Sequence, residues 1–122
     1  MSISTTLFAG GHYKIFSSMS PEGMKNPISD YLKAEDEKLF SGKGEFSAKT
    51  AQLIGLAASA GMKCEYCILA HTAAAKKAGA TDEEIKSALL IANGIALKSS
   101  MLYGSRMSMD HPMFKQMKKA LE

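Results

Sequence analysis

Two cysteines and a histidine at close spacing are the most informative feature of this sequence of 122 residues. Residues 64–71 read CEYCILAH, so Cys64, Cys67 and His71 follow one another at helical intervals. At roughly 100° per residue, the three side chains fall within about 60° on one face of a helix. Cys67 and His71 form an i, i+4 pair within contact distance. An imidazole beside a thiol can accept the thiol proton, directly or through one water.

The position of this segment also favours thiolate chemistry. Cys64 lies at the predicted start of a helix, where unpaired backbone N–H groups and the helix dipole stabilise negative charge. An i, i+3 pair of cysteines can close a disulfide with little backbone movement. The three residues therefore supply a nucleophile, a resolving thiol and a base. We recognise no signal peptide in residues 1–11 and expect a reducing cytoplasm, where a C-x-x-C pair is typical of redox or metal chemistry.

Two other interpretations of these residues are open. In a structural zinc site, one helix would supply three ligands, and a fourth would have to come from His12 or His111, far away in the sequence. Alternatively, the cysteines and a hydrogen-bonded histidine are simply buried in a core. The thioredoxin interpretation of C-x-x-C needs a βαβ pattern, and we find no strand pattern in the sequence.

The elements that position these residues are predicted to be helices, because no stretch shows sustained alternation of β-branched and polar residues. Capping residues and glycines predict where each helix begins and ends. The first expected helix is 26–42, with Asn26 as N-cap and Pro27 in the first position. It is followed by 47–61, capped by Ser47, and by 64–78, which ends before Gly79. A long helix then begins with a capping box at Thr81 and Glu84, and the last helix is 112–121, capped by Ser108 or Asp110.

Composition predicts one compact all-α domain spanning residues 1–122. Hydrophobic residues make up 46% of the chain, and a chain of this length buries about two-thirds of its surface on folding. The core therefore needs neither a metal nor a disulfide to fold. The net charge of +3 comes from interspersed lysines, which does not indicate nucleic-acid binding. No apolar run approaches the ~20 residues of a membrane span, so we expect no membrane partner.

The long fourth helix carries more apolar surface than one buried face requires. It is either the central helix of the monomer or a helix at a subunit interface, and five methionines near the C-terminus add adaptable apolar surface. One apolar stripe comprises Ile85, Ala88, Leu89, Ala92, Ile95 and Ala96; the other comprises Leu90, Leu97 and Met101, with Gly94 and Gly104 in phase.

From Ser47 to about Gly104 the sequence resembles the alkylhydroperoxidase D / carboxymuconolactone decarboxylase-like family. The redox-active branch of that family carries C-x-x-C-x-x-x-H between an apolar helix like QLIGLAAS at residues 52–59 and a segment like AGATDEEI at residues 78–85. The resemblance implies an all-helical fold that forms symmetric oligomers, often trimers or hexamers. It also implies a dithiol peroxidase or disulfide reductase that uses no bound metal or other cofactor.

Residue roles follow from the same resemblance. Cys67 would attack the hydroperoxide and become a sulfenic acid, Cys64 would resolve it as a Cys64–Cys67 disulfide, and His71 would relay the proton. The redox branch usually has a glutamate where this sequence has Gln52, and glutamine can hydrogen-bond but cannot accept a proton.

Other acids lie near the motif in sequence, namely Glu45, Glu65 and Glu84, but sequence alone does not bring any of them to His71. The leading hypothesis is a cytoplasmic antioxidant enzyme that reduces hydroperoxides and is recycled by an external dithiol or disulfide reductase. A thiol–disulfide reductase and a non-enzymatic oligomeric redox sensor are the alternatives.

Overall fold

Six α-helices and no strand make up the part of the chain that the computed structural model describes, residues 12–122. The all-α prediction is therefore confirmed. Residues 1–11, in which we recognised no signal peptide, lie outside the described residues. In chain order the helices are α1 (His12–Ser18), α2 (Lys25–Glu35), α3 (Ala48–Gly61), α4 (Glu65–Lys77), α5 (Asp82–Gly104) and α6 (Pro112–Lys119), with a 3₁₀ turn at Glu22–Met24 and a π-helical turn at Asp36–Phe40.

Helix α3 is the centre of the packing, since α4 and α5 both lie against it. The core forms around Leu56 of α3, which is fully buried, together with Ile85 and Ala88 of α5. Ile68 of α4 packs against this cluster from the third side. The N-terminal segment is a separate layer: α1 packs on α2, and the π-helical turn after α2 contacts α3. A three-helix core therefore holds the predicted site on α4, and the N-terminal layer is joined to it through that turn.

Helix caps in the core agree with the predicted ones. The Ser47 side chain accepts a hydrogen bond from the backbone N–H of Thr50 at the start of α3. Thr81 and Glu84 form the expected capping box at the start of α5. The Glu84 carboxylate also accepts from Lys49 Nζ of α3 at 2.9 Å, which ties the starts of α3 and α5 together.

Two predicted helix starts are wrong. Asn26 is not an N-cap, because a 3₁₀ turn runs into α2 and Met24 already has helical dihedral angles. Pro27 instead lies inside the first turn, where a missing N–H costs no intrahelical bond. At the other end, neither Ser108 nor Asp110 caps α6: the Ser108 hydroxyl accepts from the backbone N–H of Asp110 within a turn. His111 is the cap, accepting from the backbone N–H of Met113 through Nδ1.

Helix α5 buries only one face within the chain. Ile85, Ala88 and Ala92 are buried against the core, whereas Leu90 and Leu97 are 70% and 61% exposed. The interpretation of α5 as a helix buried all round in the monomer is therefore wrong. By length and composition α5 is the one helix within residues 12–122 that could cross a membrane, and its most apolar window only reaches a mean hydropathy of 1.2.

Candidate active site

The turn between α3 and α4 fixes the position of the first cysteine. Lys63 adopts φ 57°, in the left-handed region where glycine is the usual residue at the end of a helix. The backbone N–H of Cys64 donates to the carbonyl of Ser59 at 3.0 Å and closes the turn. Cys64 thereby becomes the N-cap of α4, and its Sγ accepts from the backbone N–H of Cys67 at 3.3 Å. Both sulfurs therefore lie at the first turn of α4, where the helix dipole favours a thiolate.

Cys64 and Cys67 are joined by a disulfide in the structure, with their Cα atoms 5.3 Å apart. Both residues are partly buried at the surface of the core. The predicted Cys64–Cys67 disulfide is thus compatible with the backbone at the start of α4. In the oxidised form the pair is an electron acceptor, and in the reduced form it supplies the two thiols that peroxide or disulfide chemistry requires.

His71 is held from α3 through a hydrogen bond to Gln52. The Gln52 Oε1 atom lies 2.8 Å from His71 Nδ1. Because an amide oxygen only accepts, this contact places the proton on Nδ1 and leaves the lone pair of Nε2 to act as a base. The family resemblance implies a carboxylate at residue 52. In this chain the neutral amide of Gln52 occupies that position and holds His71 in one tautomer.

Two further residues fix the plane of the imidazole. Gly55 lies one turn after Gln52 on α3, with its Cα directly under the His71 ring. On another side, the Phe40 ring lies 5.6 Å from the imidazole, centroid to centroid, at an interplanar angle of 31°. Phe40 is the last residue of the π-helical turn, so the N-terminal layer contacts the site directly.

Burial lowers the pKa of His71 below its ordinary value of 6.5. Desolvation of the imidazolium is the largest cause, the charge of Glu35 opposes it, and the charge of His12 adds to it. A pKa below the ordinary value keeps His71 neutral at pH 7. Neutral imidazole is the form that can accept a thiol proton.

A cavity of about 740 Å³ lies between the N-terminal layer and the α3–α4 pair. Cys67, His71 and Gln52 line it, and Cys64 does not. Its wall is largely apolar and aromatic, contributed mainly by Phe16, Leu32, Phe40, Ala48, Tyr66, Ala70 and Ala74. Of the two cysteines, Cys67 is therefore the one that borders the cavity.

Two acidic groups of this cavity were not predicted from the sequence. Glu35 and Asp36, at the end of α2, both line it. Asp36 Oδ2 lies 3.3 Å from His12 Nε2, and burial raises the pKa of that carboxyl against the opposing effect of His12. No local pattern identifies these residues, because they line the cavity only through the π-helical turn that joins the N-terminal layer to α3.

The acids named from sequence proximity do not line the cavity. Glu84 is occupied in the capping box and with Lys49, and these hydrogen bonds lower its pKa. Glu65 is exposed in the first turn of α4, and Glu45 is exposed before α3. Of the two histidines considered as a fourth zinc ligand, His111 caps α6, whereas His12 lines the same cavity as Cys67 and His71. Within residues 12–122, no three His, Cys, Asp or Glu side chains are grouped to hold a metal ion.

Comparison with known proteins gives one match. A family model described as the carboxymuconolactone decarboxylase family matches residues 28–104, which is more than half of the chain. The matched range runs from α2 to the end of α5, so it includes both cysteines, His71 and the acidic wall of the cavity. No curated protein and no solved structure matches the chain.

Proposed function

The chain belongs to the carboxymuconolactone decarboxylase family, and on that premise we propose that it is a dithiol peroxidase that reduces hydroperoxides in antioxidant defence. A C-x-x-C pair in this family is compatible with a redox role. A dithiol has no evident part in the decarboxylation of a lactone, so the family's name does not describe the proposed reaction. The cytoplasm, where thiols are kept reduced, is the proposed location.

One observation carries this proposal: the cavity exposes Cys67 and His71 together, and Cys64 lies outside it within disulfide reach of Cys67. A peroxidase needs one thiolate open to its substrate and a second thiol that reacts only after the first. The arrangement supports Cys67 as the attacking residue and Cys64 as the resolving residue.

The proposed reaction starts with transfer of the Cys67 thiol proton to Nε2 of His71. The thiolate then attacks the terminal oxygen of the hydroperoxide, the O–O bond breaks, and the leaving alkoxide takes the proton from His71. The sulfur is oxidised to sulfenic acid, and the peroxide is reduced by two electrons to an alcohol and the oxygen held on sulfur. Cys64 next attacks the Cys67 sulfur, forming the S–S bond and releasing the oxygen as water.

Gln52 and the helix start support this sequence of steps. Gln52 keeps the proton on Nδ1 of His71, so that Nε2 is the ring nitrogen that can act as a base. The first-turn position of both cysteines favours the thiolate form. Return to the dithiol requires two electrons from outside, and an external dithiol or a disulfide reductase is the proposed donor.

The test is consumption of cumene hydroperoxide by the reduced protein with dithiothreitol in excess. The proposal expects turnover in the wild type and none in Cys67→Ser, with circular dichroism confirming that the variant is folded. Turnover on a small-molecule disulfide without peroxide consumption would instead favour a thiol–disulfide reductase. Stoichiometric oxidation with no turnover on either substrate would favour a redox sensor.

A further inference from the structure

We propose that Glu35, at the end of α2, is the acidic partner of the His71 relay and supplies from the N-terminal layer the negative charge that Gln52 does not provide from α3. This assignment rests on the proposed function, because it concerns the same histidine and the same thiol. It gives Glu35 the role of a positioning residue that acts through His71 and does not itself touch the peroxide.

The first support is the placement of Glu35. It lines the cavity together with Cys67 and His71. It is the last residue of α2, directly before the π-helical turn that ends at Phe40. The Phe40 ring contacts the His71 ring, so the turn that follows Glu35 is connected to the histidine directly.

The second support is that, of the two carboxylates that line the cavity, only Asp36 has a side-chain partner. The neighbouring carboxylate, Asp36, is paired with His12 at 3.3 Å. Among the described residues, the side chain of Glu35 forms neither a hydrogen bond nor a salt bridge. Its negative charge nevertheless acts on the imidazole. It raises the pKa of His71, whereas burial lowers it.

The remaining charged groups around His71 do not replace this effect. His12, from α1, acts in the opposite direction and lowers the pKa of His71. Lys77, on α4 itself, is also a cavity residue and carries positive charge. Among the groups that change the pKa of His71, Glu35 is the only described residue with negative charge.

The chemical consequence lies in the first step of the proposed reaction. When Nε2 accepts the Cys67 proton, His71 becomes an imidazolium whose Nδ1–H remains directed at Gln52 Oε1. The Glu35 carboxylate stabilises that positive charge through space and takes no proton itself. The proton returns from His71 to the leaving alkoxide, so the contribution of Glu35 is present only while the thiolate–imidazolium pair exists.

The test uses the reduced full-length protein and two readouts that need no peroxide. In Glu35→Gln, the pKa of His71 measured by NMR should fall by about 0.5–1 unit, and alkylation of Cys67 by iodoacetamide near pH 7 should slow roughly three- to tenfold. Glu37→Gln makes the same change of charge at an exposed position two residues later, and it should change neither quantity. Glu35→Asp should recover part of the loss.

A charge swap separates this role from a structural one. Adding Gln52→Glu to Glu35→Gln returns a carboxylate to His71 from α3, and the alkylation rate should recover. An unchanged His71 pKa in Glu35→Gln, or an equal effect in Glu37→Gln, would overturn the assignment. Because these readouts do not involve hydroperoxide, they can support it even if the peroxidase proposal fails, and they can overturn it even if peroxidase activity is found.

Discussion

The Cα atom of Gly55 lies so close under the imidazole of His71 that a Cβ atom at residue 55 would stand 2.7 Å from both Nδ1 and Cε1 of the ring. Glycine in the middle of a helix costs about 1 kcal/mol relative to alanine. In α3 the glycine at residue 55 allows the close approach of His71, which hydrogen-bonds Gln52. The backbone carbonyl of Gly55 is also fixed, since it accepts from the buried hydroxyl of Ser59 at 2.6 Å.

Gly55→Ala should therefore displace His71 and weaken its hydrogen bond to Gln52. We expect the rate of Cys67 oxidation by peroxide to fall on the order of tenfold, the equivalent of about 1.4 kcal/mol in the activation barrier. The measurement is the stopped-flow rate under single turnover. Gly61→Ala is the matched control on the same helix, because a Cβ there meets nothing within 4 Å. Equal rates in wild type and Gly55→Ala would show that the position of His71 does not limit the reaction.

The stability of the oxidised protein should decrease as the pH falls through 6.5. The folded state holds the pKa of His71 below its ordinary value, so near this pH the unfolded chain binds more protons than the folded one. The contribution of the neutral histidine is fully present above pH 6.5 and is lost as the pH falls through the lower pKa of the folded protein. Urea denaturation between pH 5.5 and 8 measures it.

His71→Gln should flatten this pH dependence. A slope that is the same in wild type and His71→Gln would assign the pH dependence to other groups.

The second apolar stripe of α5 predicts a symmetric homo-oligomer. We propose a trimer or a hexamer, as the family resemblance implies. Leu90, Leu97 and Met101 are 70%, 61% and 65% exposed in the single chain. A contiguous exposed apolar face of this kind marks an interaction surface, and closed symmetry is the common arrangement of such contacts. Leu97→Glu should lower the mass measured by light scattering at micromolar concentration.

Ala73→Glu is the control for that experiment, since it adds the same charge at an exposed position on α4 and should leave the mass unchanged. A wild-type protein that is monomeric at this concentration would contradict the predicted assembly.

Local rules predicted the core helices well because their signals lie within one turn of the residues concerned. Ser47, Thr81 and Gly79 cap or terminate helices through contacts to residues at most five positions away. The helix start predicted near Cys64 is likewise confirmed, since Cys64 is the N-cap of α4. Asn26 and Ser108 each have the right chemistry for a cap. Asn26 nevertheless lies inside α2, which follows a 3₁₀ turn directly, and the Ser108 hydroxyl accepts a hydrogen bond within a turn before α6.

The remainder of the site depends on contacts between distant parts of the chain. Phe40 contacts His71 and Glu35 lines the same cavity because α2 continues into a π-helical turn, for which the sequence shows no local signal. Gly55 did carry a signal, since a glycine inside an apolar helix often marks close approach of another element. The exposure of Ile95 was missed because helical periodicity identifies an apolar stripe without showing how far the neighbouring helices extend to cover it.

The most direct test of the central claim is the intact mass of the reduced protein after one equivalent of hydroperoxide, measured for the wild type and for Cys64→Ser. The account predicts that the wild type loses two hydrogens, about 2 Da, through a Cys64–Cys67 disulfide that dithiothreitol reverses. Cys64→Ser should gain one oxygen, about 16 Da, as a sulfenic acid on Cys67 that dimedone traps. Two free thiols in the wild type after peroxide, or trapping of Cys64 in Cys67→Ser with none on Cys67 in Cys64→Ser, would contradict it.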